Sequence, residues 1–454
     1  MRFNSALPGI RWPAYPDEQA ARLMAGLYQL EHSQWQPPDK LRQRQFEQLA
    51  PLLEHAAIHV PFYRERLRAG GWELTPGLDA QRWSQIPLLT RADIQRASAA
   101  LMSDAPPPAH GGHHVAQTSG STGEPVKVTK TQVCQYFWQL CTLRNHFWHR
   151  RDFQGRFAAI RVFAAGAAAP DGETFAGWSR ATSRLFSSGQ SMRLDLRTDI
   201  VVQARWLERH NPHYLLTFPS NLHGLIEYFE HANVRLPALS EVIMVGEIVS
   251  PELRADCLRV LGVPLTDTYS SEEFGYLALQ CPDHAHYHVQ SENVLVEVLD
   301  DDGRPCVPGA VGRLVVSSLH NFAMPLIRYE IGDLAEVGGP CACGRGLPVL
   351  KRIIGRVRNL VRLPTGERRL PIVGYRGFRD IAPIRQYQFI QRTLEQIEVR
   401  LAVERPLTGD EEARLRVHIQ QSLDYPFLIV FVYMPTIPRT KAGKFEEFMC
   451  AIPG

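Results

Sequence analysis

An α/β fold is predicted, with a large N-terminal domain and a small α+β domain after it. Three observations carry this. Across residues 155–300, apolar runs that end in small or polar residues alternate with helical patterns, which argues for a largely parallel sheet. From residue 291 the pattern turns antiparallel. After residue 355 the composition shifts. The last 99 residues hold 16 Lys and Arg against 11 Asp and Glu, a net +5, leaving −2 of the whole chain's +3 elsewhere. A chain of 454 residues is also too long for one ordinary core.

Composition narrows the functional classes. Hydrophobic residues at 44% and charged residues at 21% describe a soluble globular protein. A net charge of +3 is too small to argue for a nucleic-acid partner. No run of 18 apolar residues predicts a membrane span. "MRFNSALPGIRWPAYPDEQ" lacks the apolar stretch of a signal peptide. Eight cysteines in so long a chain do not make a disulfide framework, so reduced thiols in the cytoplasm are expected.

Taken in order, residues 39–69 read as helix, with Leu41, Phe46, Leu49, Leu52, Leu53 and Ala57 at helical spacing and Pro61 after its end. Thr90 is positioned to cap a short helix. Residues 105–114 form a loop by composition, and His110, His113 and His114 read as part of that solvated loop rather than as a metal site. "TSGSTGEPVKV" (118–128) follows. The small residues Ser119, Gly120, Ser121, Thr122 and Gly123 let backbone N–H groups and hydroxyls close around an anion. Its flanks read as two strands, a hairpin, and it lacks the Gly-Lys-Ser ending of an NTPase loop. A helix over 131–150 comes next.

The α/β region then presents "RFAAIRVFAAG", "HYLLTFPS", "EVIMVGE" and "PLTDTYSSEE" as strands, with helices at 199–210, 220–232 and 250–262. Ligands of such sheets sit beyond the strands' carboxyl ends. Ser220, Glu247 and the 270–273 segment should therefore converge on one crevice. "NVLVEVL", "DDDGRP" and "GRLVVSSL" read as a hairpin. The C-terminal part combines "RNLVRL", "IEVRLAV", a helix at 409–422 and "FLIVFVYM" into a compact, basic α+β lid suited to a phosphate-rich ligand.

A second candidate site stands apart. Cys281 precedes His288 by seven residues in "CPDHAHYHV", and Cys341 and Cys343 form "CACG". Thiolates and imidazole are zinc's preferred ligands, and four of them close a structural tetrahedron. His284 and His286 are alternates for the fourth position.

Five motifs in one order now matter together: "TSGSTGEP" (118–125), "VGE" (245–247), "TYSSEEFG" (268–275), "RYEIGD" (328–333) with "GRVRNLV" (355–361), and "PRTKAGKF" (438–445). The chain resembles the adenylate-forming superfamily, and within it the phenylacetate–CoA ligase-like branch that includes capsule-associated proteins. The resemblance implies an N-terminal domain of residues 1–355 and a mobile C-terminal domain of 356–454. It implies that a small, aromatic carboxylic acid reacts with Mg-ATP to an acyl-adenylate and pyrophosphate. CoA then takes the acyl group. The same adenylation with a carrier-protein phosphopantetheine or an amine as acceptor is the alternative, and a non-catalytic nucleotide-binding protein is the second. A homodimer is compatible with the resemblance.

The resemblance also assigns roles. Residues 119–123 would wrap the ATP phosphates, Gly246 and Glu247 would pass beside the adenine, and Thr268 and Tyr269 would flank it. Glu273 would hold Mg²⁺, although Glu272 stands where the family usually has Ser or Thr. Asp333 would accept the ribose hydroxyls, and Arg356 would meet ribose or phosphate. Lys444 would be the catalytic lysine delivered by the lid, with Lys441 as its rival. Tyr136, Phe218, Pro219 and Ser220 are candidates for the acid pocket. Several members carry zinc where Cys281, His288, Cys341 and Cys343 fall. Two further departures stand out. Glu124 occupies a place where the family often has Lys, so a cation must come from elsewhere, with Lys127 and Lys130 as candidates; Arg358 and Asn359 replace an acidic pair at the hinge.

Overall fold

The computed structural model describes residues 2–70, 77–118, 125–164, 166–168, 170–356, 359–369, 377–378, 380–440 and 443–452. It divides into two compact units. One comprises Met1–Ile331 with Ala335–Ile353; the other comprises Gly332–Leu334 with Ile354–Gly454. No described helix is long and apolar enough to cross a membrane.

The first unit is organised by a twelve-stranded mixed sheet. Its middle is parallel: Ser191–Asp195, Phe157–Arg161, Tyr214–Thr217, Glu241–Val245 and Leu265–Ser271 lie side by side in that order. Helices Ile200–His210, Pro219–Ala232 and Pro251–Asp256 connect these strands. Leu207, Leu215, Leu222, Val242 and Met244 share one core with them. Strands that are buried on both faces read as continuous apolar runs, which is why this region was legible as α/β. Beyond Leu265–Ser271 the sheet turns antiparallel through Gly275–Gln280 and Tyr287–Val289. Val294–Leu299 and Val311–Ser318 form the expected hairpin.

Two expectations need correction. The helix read over 39–69 is two helices, Pro38–His59 and Pro61–Ala69. Pro61 has no N–H to donate and forces the residue before it out of the helical region. Val60 accordingly has φ −116° and ψ 106°, and Pro61 starts the second helix at a position that suits it. The helix read over 250–262 is α-helical only to Asp256. It ends in a π turn, Cys257–Leu261, closed by Gly262 at φ +73°, the left-handed conformation that glycine adopts without strain.

The second unit has its own core. Strands Leu428–Tyr433, Gln396–Val403, Ile384–Gln391 and Phe448–Cys450 form a four-stranded sheet in that order. Helix Gly409–Ser422 buries Leu415 and Ile419 among Phe389, Val399 and Phe427. Thr408 and Glu411 close its start with reciprocal side-chain and backbone bonds, which satisfies donors that a helix N-terminus leaves free.

Candidate nucleotide site and cysteine–histidine cluster

Residues 119–124 lie outside the described residues. Ser119, Gly120, Ser121, Thr122 and Gly123 are therefore located only by the loop's flanks. His113–Gln117 and Lys127–Thr131 pair antiparallel from His113↔Thr131 to Gln117↔Lys127. Thr118 N–H donates to the Val126 carbonyl at 2.9 Å, and Val126 N–H donates to Thr118 Oγ1 at 2.9 Å. The flanks of 119–124 thus pair as a hairpin, as expected, but the first strand begins at His113, so His113 and His114 belong to it rather than to the loop read over 105–114.

The carboxyl ends of the parallel strands carry the predicted polar residues. Val245 and Thr268 are directly paired neighbours. Gly246 follows at φ +81°, where a side chain would strain the backbone. The chain then delivers Glu247 to the start of helix Pro219–Ala232. Its carboxylate accepts from Ser220 N–H at 2.9 Å and from Ser220 Oγ at 3.0 Å. A carboxylate is stabilised there by the helix N-terminus. Ser220 and Glu247, expected to converge on one crevice, are therefore in contact, Ser220 from the first turn of the helix rather than from a strand end. Thr268 Oγ1 donates to the Met244 carbonyl at 3.3 Å and ties the same two strands together.

Tyr269 is half-buried, Glu272 is exposed, and Glu273 is 6% exposed. Lys130 faces both glutamates electrostatically, along with Cys134. Burial lowers its pKa from the ordinary value and the neighbouring acidic groups oppose the shift. Lys127 is exposed. Of the two candidate cations, Lys130 is thus the one associated with the glutamate pair.

The acid-pocket candidates do not form one group. Phe218 is buried in the α/β core with Leu222 and Met244. Tyr136 packs with a different core that includes Leu23 and Leu30, and its hydroxyl donates to the Arg22 carbonyl at 3.0 Å. Sequence reasoning missed an aromatic pair near Glu273: Trp138 and Tyr276 pack at 4.4 Å between ring centroids, beside Gly275, where a Cβ would come within 3.0 Å of Trp138.

In the second unit, Asp333 and Arg356 are brought together, with Arg356 Nε 2.9 Å from Asp333 Oδ1. Lys444 sits in a small loop. Its N–H donates to Thr440 Oγ1 at 3.1 Å and its carbonyl accepts from Thr440 N–H at 2.9 Å. Lys441 and Arg358 lie outside the described residues.

The cysteine–histidine residues converge within the first unit. Cys281 follows strand Gly275–Gln280, His286 and His288 flank Tyr287, and Cys341 and Cys343 come from the 338–348 connection. Donor atoms of Cys281, His286, His288 and Cys341 all lie within 4.8 Å of one another. Cys281 Sγ is 3.8 Å from Cys341 Sγ, His286 Nε2 is 3.0 Å from Cys341 Sγ, and Cys343 Sγ is 3.4 Å from His288 Nε2. Tetrahedral zinc at about 2.3 Å from sulfur separates two thiolates by about 3.8 Å, so the donor spacing fits. His286 thus stands in the four-donor group with Cys281, His288 and Cys341, Cys343 groups instead with Cys281 and Asp283, and His284 is exposed and outside both groups. Burial pushes the Cys281 thiol up to about 12 and His288 down to about 4. Such neutral groups yield a proton or a lone pair when a divalent cation arrives. For Cys343 burial acts upward, but hydrogen bonds and charge from Arg345 win and hold its pKa below the usual thiol value.

The phenylacetate-coenzyme A ligase of Thermus thermophilus is 27% identical over 459 residues, covering 91% of this chain and 97% of that protein. The Escherichia coli protein of the same name is 24% identical over 433 residues, covering 90% and 95%. A 2-hydroxyisobutyryl-CoA ligase structure in its postadenylation state superposes with a TM-score of 0.70 at 16% identity, covering 92% of this chain and 91% of that one. An anthranilate CoA ligase structure gives 0.52 at 16% identity, covering 73% and 65%. These likenesses establish the adenylate-forming fold. The family model described as AMP-binding enzyme matches residues 78–324, more than half of the chain, and the chain therefore belongs to the AMP-binding enzyme family.

Proposed function

We propose that this protein activates a small, aromatic carboxylic acid with Mg-ATP and passes the acyl group to CoA. The carboxylate oxygen attacks the α-phosphorus, the bond to the β-phosphate oxygen breaks, and pyrophosphate leaves. The CoA sulfur then attacks the acyl carbon, loses its proton, and AMP leaves. The observation that carries this reading is the likeness to two phenylacetate-coenzyme A ligases over 91% and 90% of this chain, supported by the lie of Gly246, Glu247, Thr268 and Glu273 at or just beyond the ends of two paired strands.

In this reading the 119–123 segment wraps phosphate, and Gly246, Glu247, Thr268 and Tyr269 border the adenine. Asp333 and Arg356 serve ribose and phosphate, and Lys444 is the catalytic cation. Glu273 is the Mg²⁺ ligand in preference to Glu272. A buried carboxylate beside polyphosphate needs a cation, whereas an exposed one is solvated. The cysteine–histidine cluster takes a structural zinc that ties the 281–288 turn to the 338–346 loop. Zinc is needed there for cross-linking alone, with no open coordination position.

Acid-dependent ATP–pyrophosphate exchange across a panel of aryl and alkyl carboxylates tests the reading. Product analysis with CoA, a carrier protein or amines then identifies the acceptor. Absence of exchange with every acid, in a protein that binds AMP, would replace this reading with the non-catalytic one.

Lys130 supplies charge that the Glu124 position does not. Lys130→Met should raise the KM for ATP about tenfold, as expected for one lost bond to a charged group, with Lys127→Met within twofold of the parent. Equal effects of the two substitutions would show that Lys130 has no special place.

A further inference from the structure

We propose that Asp267 and Tyr287 form a positioning pair that couples the cysteine–histidine cluster to the nucleotide-binding strand end. This rests on the adenylation reading of that strand end. Tyr287 lies between His286 and His288 on a short extended strand. Neighbouring side chains of a strand point to opposite faces. The two histidines turn to Cys341 and Cys343, while the Tyr287 hydroxyl donates to Asp267 Oδ2.

Asp267 uses its other oxygen on the nucleotide side. Oδ1 accepts from Thr268 N–H at 2.7 Å, directly before Tyr269. Its own N–H donates to Gln280 Oε1 at 2.9 Å, an atom that also receives Arg254 Nη2 at 3.0 Å. Gln280 immediately precedes Cys281. Chain neighbours of three cluster donors therefore end on one residue, Tyr287 on the Asp267 carboxyl and Gln280 on its backbone N–H. All three residues of this relay, Asp267, Gln280 and Tyr287, are buried. Breaking a bond there leaves a polar group without water to replace it.

The cluster thus acts beyond stabilising its own loop. Cross-linking residues 281, 286 and 288 fixes where Gln280 and Tyr287 stand. They fix Asp267, and Asp267 holds the backbone at Thr268. The pair touches neither acid nor nucleotide in this scheme, so its effect falls on affinity rather than on the chemical step.

AMP titration by calorimetry tests the coupling. It uses full-length wild type, Tyr287→Phe and Asp267→Asn, each loaded with zinc and stripped by a chelator. Tyr287→Phe keeps the ring and removes only the hydroxyl. It should bind AMP about tenfold more weakly with one zinc per chain retained. Stripped wild type should lose a similar factor, and stripped Tyr287→Phe should lose little more, because both changes break the same link. Asp267→Asn should weaken AMP binding without loss of zinc. Affinity of Tyr287→Phe within twofold of wild type overturns the proposal, as do losses that multiply. Loss of zinc from either variant overturns it too, since the pair would then be holding the cluster in place. If wild type binds no AMP at all, the nucleotide reading fails first, and this coupling with it.

Discussion

Lys444→Ala should slow the adenylation half-reaction by about 10²- to 10³-fold, the range for removing one preorganised donor to transition-state charge. Thioester formation from a supplied acyl-adenylate should change by no more than about threefold, because the lysine serves the first half-reaction only. During adenylation negative charge gathers on the α-phosphate as the carboxylate approaches, and an ammonium placed there lowers that barrier specifically. The local structure suits delivery of a cation. Thr440 and Lys444 close a small loop through two hydrogen bonds, and Arg439 Nη1 donates to the Gly443 carbonyl at 3.1 Å. Among the described residues the Lys444 ammonium makes no ion pair. Lys441→Ala separates the rivals: a large loss there with Lys444→Ala near wild type would transfer the role. Pyrophosphate exchange with the preferred acid and single-turnover acyl transfer are the two measurements. Equal damage to both half-reactions would identify a folding defect instead.

What could be read from sequence followed from burial. Runs such as "EVIMVGE" are apolar because both faces of the strand are covered, and they end in polar residues because the strand ends leave the core. That is why Ser220 and Glu247, 27 residues apart, could be expected in one crevice from the ends of two apolar runs. The same logic misled at residue 60, where Tyr63 and Leu67 continue the apolar spacing past a proline that breaks the helix. Pocket residues carry no comparable sequence signal: Phe218 and Tyr136 are aromatic positions that pack in separate cores. Nor could spacing choose among the histidines of "CPDHAHYHV". Which of them meets the cysteines depends on the pairing of Tyr287 with Gln280 and Leu350, a register no local pattern encodes. Asp267 is itself a sequence signal, a charged residue within a buried strand.

Arg151→Met should destabilise the first unit by about 3–5 kcal/mol, the cost of leaving one member of a buried ion pair without the other. Arg151 holds Glu241 through two bonds of 2.7 and 2.6 Å and donates to Thr266 Oγ1 at 3.2 Å. Its remaining nitrogen is 3.1 Å from His146 Nδ1. Arginine can only donate, so His146 accepts and is neutral. Burial, and secondarily Arg151, keep its pKa well below the ordinary value. Burial acts to raise the pKa of Glu241, but hydrogen bonds and charge from Arg151 win, and the net shift is downward. A carboxyl with a depressed folded pKa contributes stability above its unfolded pKa, about 4.3, and loses it as the pH falls through the folded value. Urea denaturation should therefore show wild type losing more stability below about pH 4.3 than Arg151→Met/Glu241→Leu does. At neutral pH that double variant should recover most of the single variant's loss, because no uncompensated charge remains; Thr266 and His146 still lose a partner, so recovery is incomplete. A single variant within 1 kcal/mol of wild type, well short of the cost of an orphaned buried charge, would refute the assignment. Glu241 begins the strand that ends at Val245, and Thr266 lies on the strand that carries Thr268 and Tyr269. The pair locks these two strands together near their amino ends, and a slip there would move Gly246 against Thr268 at the other. The double variant should accordingly bind AMP more weakly than wild type even where its stability is restored, since packing replaces the charge but not the hydrogen-bonded register.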